Sequence, residues 1–297
     1  MSLQTAHAIT LVAGPEGRLS ETVLADCGSL LSKQGGTAIR HIWHKTDEAA
    51  DLFCLNLSAE AIYTILRPIL TSLTIDIIVQ PTIHRRKKLL LADMESTIIE
   101  QEMLDELAAM IGIGEKVADI TRRAMNGELD FNAALKERVA MLAGQHENLL
   151  SKAASKITMM GGAKELINAM KGQGAQCWLV SGGFTCFAEK IGKLLGFDRV
   201  FANELIIADH KIVGTVTEPI LDKNGKKDLL DQARRELSIQ PTECLAIGDG
   251  ANDIPIITAC NAGAGLGIAY HAKPAVRAVT PHQINYADLT TLVYAQG

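Results

Sequence analysis

The pattern of hydrophobic and polar residues divides the chain into two regions. In the first 80 residues, the segment 7–12 alternates as a half-buried strand does, and the segment 19–34 carries apolar residues at the spacing of an amphipathic helix. The pattern predicts three further strands and one helix, in the order strand 38–44, strand 51–57, helix 59–73 and strand 75–80. The order βαββαβ is that of the ferredoxin-like motif, so we expect a small α+β domain over residues 1–80.

Three short apolar runs in the rest of the chain end abruptly in polar residues. They are LLLA at 89–92, CWLV at 177–180 and LAIG at 245–248. A short run of leucine and branched residues with polar flanks is typical of a fully buried strand in a parallel sheet. We therefore predict an α/β domain with a doubly wound parallel sheet over residues 89–297.

The polar residues that follow these runs are candidate site residues. Asp93 follows the first run, Ser181 the second and Asp249 the third. Ligands of open α/β sheets bind outside the carboxyl ends of the strands, which is where these side chains are expected. For Asp93 alone, a turn or a helix cap is an equally good explanation, because aspartate is common in turns.

Two segments connect or interrupt these regions. From residue 100 to about 156 the pattern changes to helices rich in Leu, Met and Ala, which we interpret as a helical cap inserted after the first strand. Residues 81–88, PTIHRRKK, contain four consecutive basic residues, and we interpret them as a solvated linker. A nucleic-acid patch would need aromatic or further basic support, which is absent nearby.

Composition narrows the class of protein. With 297 residues, 47% of them hydrophobic and 21% charged, the chain is ordinary for a globular protein of about two domains. The net charge of −5 argues against a nucleic-acid partner, and no segment has the features of a signal peptide or membrane span. The six cysteines show no CxxC spacing, which predicts reduced, buried thiols in a cytoplasmic protein.

The order of the motifs resembles the haloacid-dehalogenase-like phosphotransferases. The first motif of that family is Asp-x-Asp-x-Thr or Val, and this chain has DMEST at 93–97. The strand-end Ser181, Lys226 at the start of a helix, and GDGAND at 248–253 follow in the family's order. The chain departs from the family at Glu95, where aspartate is usual.

Residues between these motifs resemble the phosphoserine phosphatases more closely. Glu102, Phe131 and Arg138 match that family's substrate-binding positions, and SGGF follows at 181–184. The resemblance covers residues 88 to 297. Without the flanking motifs, Glu102 and Arg138 would be interpreted as solvated charges on helix surfaces.

The resemblance implies a role for each candidate residue. Asp93 is the expected nucleophile and Glu95 the general acid and base. A Mg²⁺ ion is expected to bind Asp93, the backbone carbonyl of Glu95 and Asp249, with Asp253 behind them. The residues expected to bind the phosphoryl group are Ser181, Gly182 through its N–H, Lys226 and Asn252. The serine part of the substrate is expected to contact Glu102, Phe131 and Arg138.

The implied reaction is Mg²⁺-dependent hydrolysis of O-phospho-L-serine through an aspartyl phosphate, the last step of serine biosynthesis. Two alternatives stay open, namely a phosphatase or phosphotransferase acting on another small phosphomonoester and a non-catalytic receiver-like signalling module. The N-terminal region, with the loop GPEGRLSETV at 14–23, resembles an ACT-type domain. That resemblance implies an amino-acid effector or pairing into a homodimer.

Overall fold

The computed structural model describes residues 6–126 and 128–297. The chain folds into two compact units. The first comprises the residues up to 87 together with 281–297, and the second comprises 88–280. Each unit has its own sheet and its own buried core.

The first unit has the predicted α+β fold. Its elements are β1 (His7–Ala13), α1 (Glu21–Lys33), β2 (Thr37–Lys45), β3 (Ala49–Leu55), α2 (Ala59–Ser72) and β4 (Ile75–Pro81). The strands form a sheet in the order β2-β3-β1-β4, with antiparallel neighbours. Both helices begin at a serine, Ser20 or Ser58, whose hydroxyl accepts a hydrogen bond from a backbone N–H three residues on. The ferredoxin-like prediction is confirmed.

The second unit contains the predicted parallel sheet. Its elements are β5 (Leu89–Ala92), α3 (Met103–Met110), α4 (Gly114–Met125), α5 (Phe131–Ala140), α6 (Asn148–Ala154), α7 (Ala163–Gly172), β6 (Gln176–Phe184), α8 (Thr185–Leu195), β7 (Arg199–Asn203), β8 (Leu205–Ala208), β9 (Lys211–Val216), α9 (Lys223–Leu237), β10 (Cys244–Gly248), α10 (Ile254–Ala262), β11 (Leu266–Tyr270) and α11 (Pro274–Arg277). Five strands pair in parallel in the order β11-β10-β5-β6-β7.

This strand order positions the candidate site. Strand β5 lies between β10 and β6, and all of its residues are buried, as expected for the centre of a parallel sheet. Because the three strands are parallel neighbours, their carboxyl ends meet at one edge of the sheet. Asp93 and Asp249 directly follow β5 and β10, and Ser181 lies inside β6, two residues beyond Leu179, which pairs with Ala92 at the end of β5. The three residues are therefore brought to the same edge.

The helical insertion has paired connections to the sheet domain. Helices α3 to α6 occupy residues 103–154, inside the predicted range of 100–156. Before and after them, Ile99 and Met159 form an antiparallel bridge. The N–H of Glu100 donates to the carbonyl of Thr158 at 3.0 Å, and the N–H of Met160 donates to that of Ile98 at 2.9 Å.

A hairpin that the sequence did not predict contacts the cap. Strands β8 and β9 pair antiparallel, and their turn hydrogen-bonds to the segment between α5 and α6. The N–H of Gly144 donates to the carbonyl of Ile212 at 2.8 Å, and the N–H of Glu147 donates to that of His210 at 2.9 Å. The cap is therefore bound to the sheet domain at a second place, away from its connections.

The C-terminal segment belongs to the first unit, where the sequence analysis assigned it to the phosphatase domain. It contains β12 (Gln283–Ile284) and α12 (Thr290–Tyr294). The buried carboxylate of Asp76 accepts hydrogen bonds from the backbone N–H groups of Asn285, Tyr286 and Ala287 at 2.8–2.9 Å. A buried carboxylate needs such donors, so Asp76 fixes this segment against β4.

The interpretation of residues 81–88 as a solvated linker is wrong for two of the four basic side chains. Arg85 is 11% exposed and binds both oxygens of Asp51, at 2.6 and 2.7 Å, while its Nε donates to the carbonyl of Ala295. Lys87 is 5% exposed. Asp51 is itself buried in the sheet, so its charge requires a buried cation, which the linker supplies.

Two further expectations concern membranes and thiols. None of the helices in the described part of the chain is long and apolar enough to cross a membrane. All six cysteines lie among the described residues and are free, and five of them are buried. Cys186 is exposed, so the prediction of buried thiols is wrong for this residue alone.

Candidate active site

Lys226 joins two carboxylates at the centre of the site. Its Nζ lies 2.6 Å from Oδ1 of Asp93 and 2.6 Å from Oδ1 of Asp253. Lys226 and Asp253 are fully buried, and Asp93 is 5% exposed. Burial lowers the pKa of Lys226, but Asp253 and Asp93 outweigh burial and raise it above the ordinary value. The lysine is therefore a fixed positive charge beside the Asp93 carboxylate.

The start of helix α9 positions Lys226. Oδ1 of the N-cap residue Asp222 accepts from the N–H groups of Asn224 and Gly225 at 2.8 and 3.0 Å. The N–H of Lys226 then donates to the carbonyl of Asp222 at 2.9 Å, which places the lysine in the first turn. This N-cap explains why the helix begins where the side chain can reach Asp93.

Three carboxylates at the strand ends are close enough to share a cation. Oxygens of Asp93, Asp249 and Asp253 lie within 4.8 Å of one another, and all three residues are buried. Oδ2 of Asp249 and Oδ1 of Asn252 are buried without a hydrogen-bond partner. Oxygen ligands of this kind suit a hard divalent cation, so the residues present fit a metal site. Asp253, expected behind the metal ligands, is a member of this cluster.

Burial and the closeness of the carboxylates raise the pKa values of Asp93 and Asp249. Burial, followed by the charge of Asp253, raises the pKa of Asp93 to about 7, against the opposing effect of Lys226. Burial, followed by the charges of Glu102 and Asp93, raises the pKa of Asp249 well above its usual range. A cation bound among these carboxylates would offset this repulsion and favour their charged forms.

Glycines let side chains approach strands β6 and β10. A Cβ on Gly248 would lie 2.2 Å from Cγ of Asp253, and a Cβ on Gly182 would lie 2.7 Å from Cζ of Phe131. The hydroxyl of Ser181, fully buried, accepts from the N–H of Gly183 at 2.9 Å. The expected phosphoryl-binding residues Ser181 and Gly182 therefore lie in the last part of β6, with the Phe131 ring directly over Gly182.

Glu95 reaches from the sheet domain to the cap. Its Oε1 accepts from the N–H of Met103, the first residue of α3, at 3.0 Å. Its carboxylate also lies against Gly183, where a Cβ would come within 2.9 Å of both oxygens. Burial, followed by the charge of Glu102, raises the pKa of Glu95 well above the ordinary value. A raised pKa favours the protonated form of Glu95, which is the form that a general acid needs.

Glu102 makes the reciprocal contact between cap and sheet domain. The hydroxyl of Ser96 donates to Oε1 of Glu102 at 2.8 Å. Ser96 adopts a left-handed conformation with φ of 52°, in the turn that follows Asp93. Burial raises the pKa of Glu102, while the Ser96 hydrogen bond lowers it. Glu102 is thus a half-buried, hydrogen-bonded acid, and the alternative of a freely solvated charge is wrong.

Arg138 is buried in the cap. It is 3% exposed, so the alternative of a surface charge is wrong for this residue as well. Its Nε donates to the carbonyl of Ala134 at 3.0 Å, and its Nη1 donates to the hydroxyl of Thr121 at 2.8 Å. Burial lowers the pKa of Arg138, and Asp105, Glu95 and Glu102 oppose that effect.

One pocket joins the strand ends to the cap. It is lined by Asp93, Glu95, Glu102, Leu104, Phe131, Leu135, Arg138, Gly182, Gly183, Phe184, Asp249 and Asn252. Ser181, Lys226 and Asp253 do not line the pocket, but each is buried next to a residue that does. On its sheet side, the pocket thus presents Asp93, which Lys226 holds in place, and Asp249, a second member of the candidate metal cluster. On its cap side, it presents the Arg138 guanidinium and the Glu102 carboxylate.

Comparison with known proteins agrees with this geometry. Residues 87–261 match the haloacid dehalogenase-like hydrolases. The chain belongs to that family. The hydrolase is 39% identical to a phosphoserine phosphatase of Archaeoglobus fulgidus over 222 residues, which are 74% of this chain and 63% of that protein. The chain therefore spans less than two thirds of the length of that relative.

Two solved structures resemble the hydrolase. A HAD family hydrolase from Salmonella enterica subsp. enterica serovar Typhi superposes with a TM-score of 0.83 at 27% identity, covering 98% of both chains. A phospho-aspartyl intermediate analogue of phosphoserine phosphatase gives a TM-score of 0.66 at 38% identity, covering 70% of this chain and 98% of that chain. The likeness to the first structure includes the N-terminal unit.

Sequence reasoning missed three polar residues around the pocket of the hydrolase. Nζ of Lys273 lies 3.7 Å from Oδ2 of Asp249, and Thr121 and Asp105 stand behind Arg138. Lys273 lies 24 positions after Asp249 along the chain, and no pattern around it is distinctive. Asp105 and Thr121 lie in two different predicted cap helices, and the sequence pattern of each helix does not distinguish them from other polar residues.

Proposed function

We propose that this hydrolase removes phosphate from O-phospho-L-serine, giving L-serine and inorganic phosphate. The observation that carries the proposal is that Asp93, Glu102 and Arg138 line one pocket. Asp93 offers a nucleophile for phosphorus, and the other two offer partners for an ammonium group and a carboxylate. Only a phosphomonoester of an amino acid has all three complementary groups.

The first step is attack of a carboxylate oxygen of Asp93 on phosphorus. The bond from phosphorus to the serine oxygen breaks, and the phosphoryl group is carried by Asp93. Lys226, 2.6 Å from Asp93, supplies positive charge where the attacking and phosphoryl oxygens meet. The hydroxyl of Ser181, the N–H of Gly182 and the amide of Asn252 are proposed to hold the phosphoryl oxygens. The Ser181 hydroxyl also accepts from the N–H of Gly183, which fixes its position within β6.

Glu95 is proposed to carry the proton in both steps. Its protonated carboxyl group gives the proton to the serine oxygen as that oxygen leaves. The resulting carboxylate then takes a proton from the water that attacks the phosphoryl group, and Asp93 is released. Two observations support this role: the raised pKa of Glu95 favours its protonated form, and the hydrogen bond from Met103 N–H fixes the orientation of the side chain.

We propose Mg²⁺ as the cation of the carboxylate cluster. Asp93, Asp249 and the backbone carbonyl of Glu95 would hold it, with Asp253 as a further member of the cluster. When bound, Mg²⁺ supplies positive charge that reduces the repulsion between the carboxylates and the phosphate dianion. Oδ2 of Asp249, which is buried and accepts no hydrogen bond, supports this assignment.

The cap is proposed to select the amino-acid part of the substrate. The Arg138 guanidinium binds the carboxylate through paired N–H donors, and Glu102 binds the ammonium group. The Phe131 ring covers Gly182 and keeps water from the leaving group. The contacts of Arg138 and Glu102 are absent for a simple alkyl phosphate, which would therefore bind less tightly.

A matched substrate panel tests the proposal. Phosphate release is measured for O-phospho-L-serine, for O-phosphoethanolamine, which lacks the carboxylate, and for 3-phosphooxypropionate, which lacks the ammonium group. We expect kcat/KM to be highest for O-phospho-L-serine. A higher value for either analogue would support another phosphomonoester instead, and no turnover of any substrate would support a receiver-like module.

Removal of divalent cations tests the metal assignment within the same panel. Turnover of O-phospho-L-serine should disappear in excess chelator and return when Mg²⁺ is added beyond the chelator. The Asp249→Asn variant should need a higher Mg²⁺ concentration for half-maximal activity, because one anionic ligand is lost. Full activity of the wild-type enzyme in excess chelator would contradict the assignment.

For the first unit we propose an ACT-like regulatory role with an amino-acid effector. A cavity beside the loop after β1 supports it; the lining includes Gly14, Gly17, Lys45, Asp47 and Asp288. The melting temperature of the full chain is measured in the presence of each free amino acid in turn. It should rise with the amino acid that is the effector and should not change with the other amino acids. Homodimer formation and a cytoplasmic location stay predictions from the sequence.

A further inference from the structure

Three helices of the cap are joined by a chain of two hydrogen bonds behind the pocket. Nη1 of Arg138 on α5 donates to Oγ1 of Thr121 on α4 at 2.8 Å. The same hydroxyl donates to Oδ1 of Asp105 on α3 at 2.5 Å. Thr121 is 4% exposed and Arg138 is 3% exposed, so water has little access to either group.

The direction of this chain is fixed by chemistry. A guanidinium only donates, so the Thr121 oxygen must accept from Arg138. The single proton of the hydroxyl is then left for Asp105, whose carboxylate accepts it. The Thr121 side chain therefore cannot turn without leaving a buried donor of Arg138 and an acceptor of Asp105 unsatisfied.

Thr121 also separates the two charges. Within residues 6–126 and 128–297, no carboxylate makes a direct ion pair with Arg138, although Asp105, Glu95 and Glu102 all raise its pKa against burial. A direct bidentate pair with Asp105 would occupy the donors that face one edge of the guanidinium. With the hydroxyl between them, Asp105 stabilises the buried cation while Arg138 still lines the pocket.

We propose that Thr121 and Asp105 are positioning residues that hold the Arg138 guanidinium ready for a carboxylate on the substrate. They thereby set the preference of the enzyme for phosphomonoesters of amino acids. This inference rests on the proposed function, since it assigns Arg138 to the substrate carboxylate. It adds two residues that do not line the pocket and that no motif indicated.

The Thr121→Val variant tests the proposal, because valine keeps the shape of threonine and removes the hydroxyl. We expect KM for O-phospho-L-serine to rise about tenfold or more, the usual effect of losing a hydrogen bond to a charged group. KM for O-phosphoethanolamine, which has no carboxylate for Arg138, should change less than threefold, and kcat should be nearly constant for both. Thr121→Ser keeps the hydroxyl and should restore KM to within about threefold of wild type.

Thr217 offers a matched control. Its hydroxyl donates to Oε2 of Glu204 at 3.0 Å, as that of Thr121 does to Asp105, but the residue is exposed and lies outside the pocket. Thr217→Val should leave KM for both substrates unchanged. Circular dichroism shows whether Thr121→Val is folded. If it is not, Thr121→Ala, which cannot clash, takes its place with the same expected results.

The Arg138→Ala variant separates failure of this inference from failure of the proposed function. If Arg138→Ala lowers kcat/KM equally for both substrates, the assignment of Arg138 to the carboxylate is wrong and the proposed function fails. If Arg138→Ala acts selectively and the Thr121 variant does not, the positioning role alone is overturned. In the Arg138→Ala background, Thr121→Val should have no further selective effect, because no guanidinium is left to position.

Discussion

The side chain of Glu95 is one methylene longer than the aspartate usual in this family, and two neighbours accommodate it. The N–H of Met103 binds one oxygen, and Gly183 leaves open the space that a Cβ would occupy at 2.9 Å from the carboxylate. The longer side chain thus ends in a defined position. Catalytic groups must be held within about half an ångström of their working position, so we expect these two contacts to be needed for catalysis.

Replacement of Glu95 by glutamine tests its proposed role as proton carrier. Glutamine has nearly the same shape and can still accept from Met103 N–H, but it cannot exchange a proton at neutral pH. Turnover of O-phospho-L-serine should fall about 10²- to 10⁴-fold. An aryl phosphate with a good leaving group should give a rapid burst of phenol and then slow turnover, since release of phosphate from Asp93 lacks a base.

Stopped-flow absorbance of the phenol measures this burst, and circular dichroism is the control for folding. Wild-type rates on both substrates would show that Glu95 is not the proton carrier.

Gly183 should be required only while residue 95 is glutamate. In Gly183→Ala the new methyl group displaces the Glu95 carboxylate, and kcat should fall about tenfold or more, since small errors in position are costly in catalysis. In the double variant Glu95→Asp with Gly183→Ala, the shorter acid withdraws from the methyl group. Its kcat should lie within about threefold of that of Glu95→Asp alone.

The comparison is a double-mutant cycle in kcat. Equal losses from Gly183→Ala in both backgrounds would mean that the glycine serves the strand and not the acid.

At the scale of elements, the β8–β9 hairpin supports the cap. Gly214 in β9 has φ of 92°, and a Cβ there would lie 2.8 Å from Cβ of Ala143 in the cap. Gly112, in the turn between α3 and α4, also has positive φ, at 80°, but a Cβ there would meet nothing within 4 Å. The two glycines are therefore a matched pair that differs in the contact with a neighbouring segment.

Alanine at Gly214 should destabilise the protein more than alanine at Gly112. Both variants strain the backbone by about 1 kcal/mol, because a side chain disfavours positive φ. Only Gly214→Ala adds the overlap with Ala143, for a further cost of about 1–3 kcal/mol. Urea unfolding followed by circular dichroism measures the free energy of unfolding of each variant. Equal decreases in the free energy of unfolding would show that the hairpin can move away from Ala143 without a loss of stability.

Sequence patterns predicted elements well and contacts between distant elements poorly. The βαββαβ order and the three buried strands follow from local periodicity, and the order of the strand-end residues predicted which side chains would share one edge. The hairpin bound to the cap, the return of residues 281–297 to Asp76, and the hydrogen bond from Thr121 to Asp105 join segments that are far apart or lie on different helices. No local period distinguishes such residues from ordinary polar positions.

At the scale of the whole molecule, a buried histidine of the first unit, His282, should make the free energy of unfolding depend on pH. Burial, followed by the charges of Arg67 and Lys87, lowers the pKa of His282 to about 4. The Tyr63 hydroxyl, which accepts from the N–H of Val79, lies 2.7 Å from Nδ1 of His282, within hydrogen-bond distance. Neutral His282 is thus the form that the fold accommodates.

His282 should stabilise the fold above pH 6.5, and this contribution should be lost as pH falls towards 4. The unfolded chain binds the proton at about pH 6.5, whereas the folded chain resists it until about pH 4. Between pH 7 and pH 4.5, the wild-type protein should therefore lose about 2–3 kcal/mol more stability than His282→Gln. Glutamine can still hydrogen-bond to Tyr63, as donor or acceptor, and does not titrate.

Fluorescence can assign this transition to the first unit. The chain has two tryptophans, Trp43 in the first unit and Trp178 in the second, so a Trp178→Phe background leaves Trp43 as the reporter. The same pH dependence in the wild-type and His282→Gln proteins would show that other groups control the acid sensitivity.

The paired connections at Ile98–Glu100 and Thr158–Met160 bring the two ends of the cap together, while the β8–β9 hairpin holds it at a second place. Its two ends meet in one short antiparallel crossing, so an insertion of another size or sequence can begin and end there without shifting the register of β5 against β6. Selection can then diversify the helices that choose the substrate while the sheet that carries Asp93 is inherited unchanged. Residues 101–157, exchanged between related hydrolases together with the β8–β9 hairpin that contacts them, are therefore a natural unit of evolutionary recombination and of enzyme engineering.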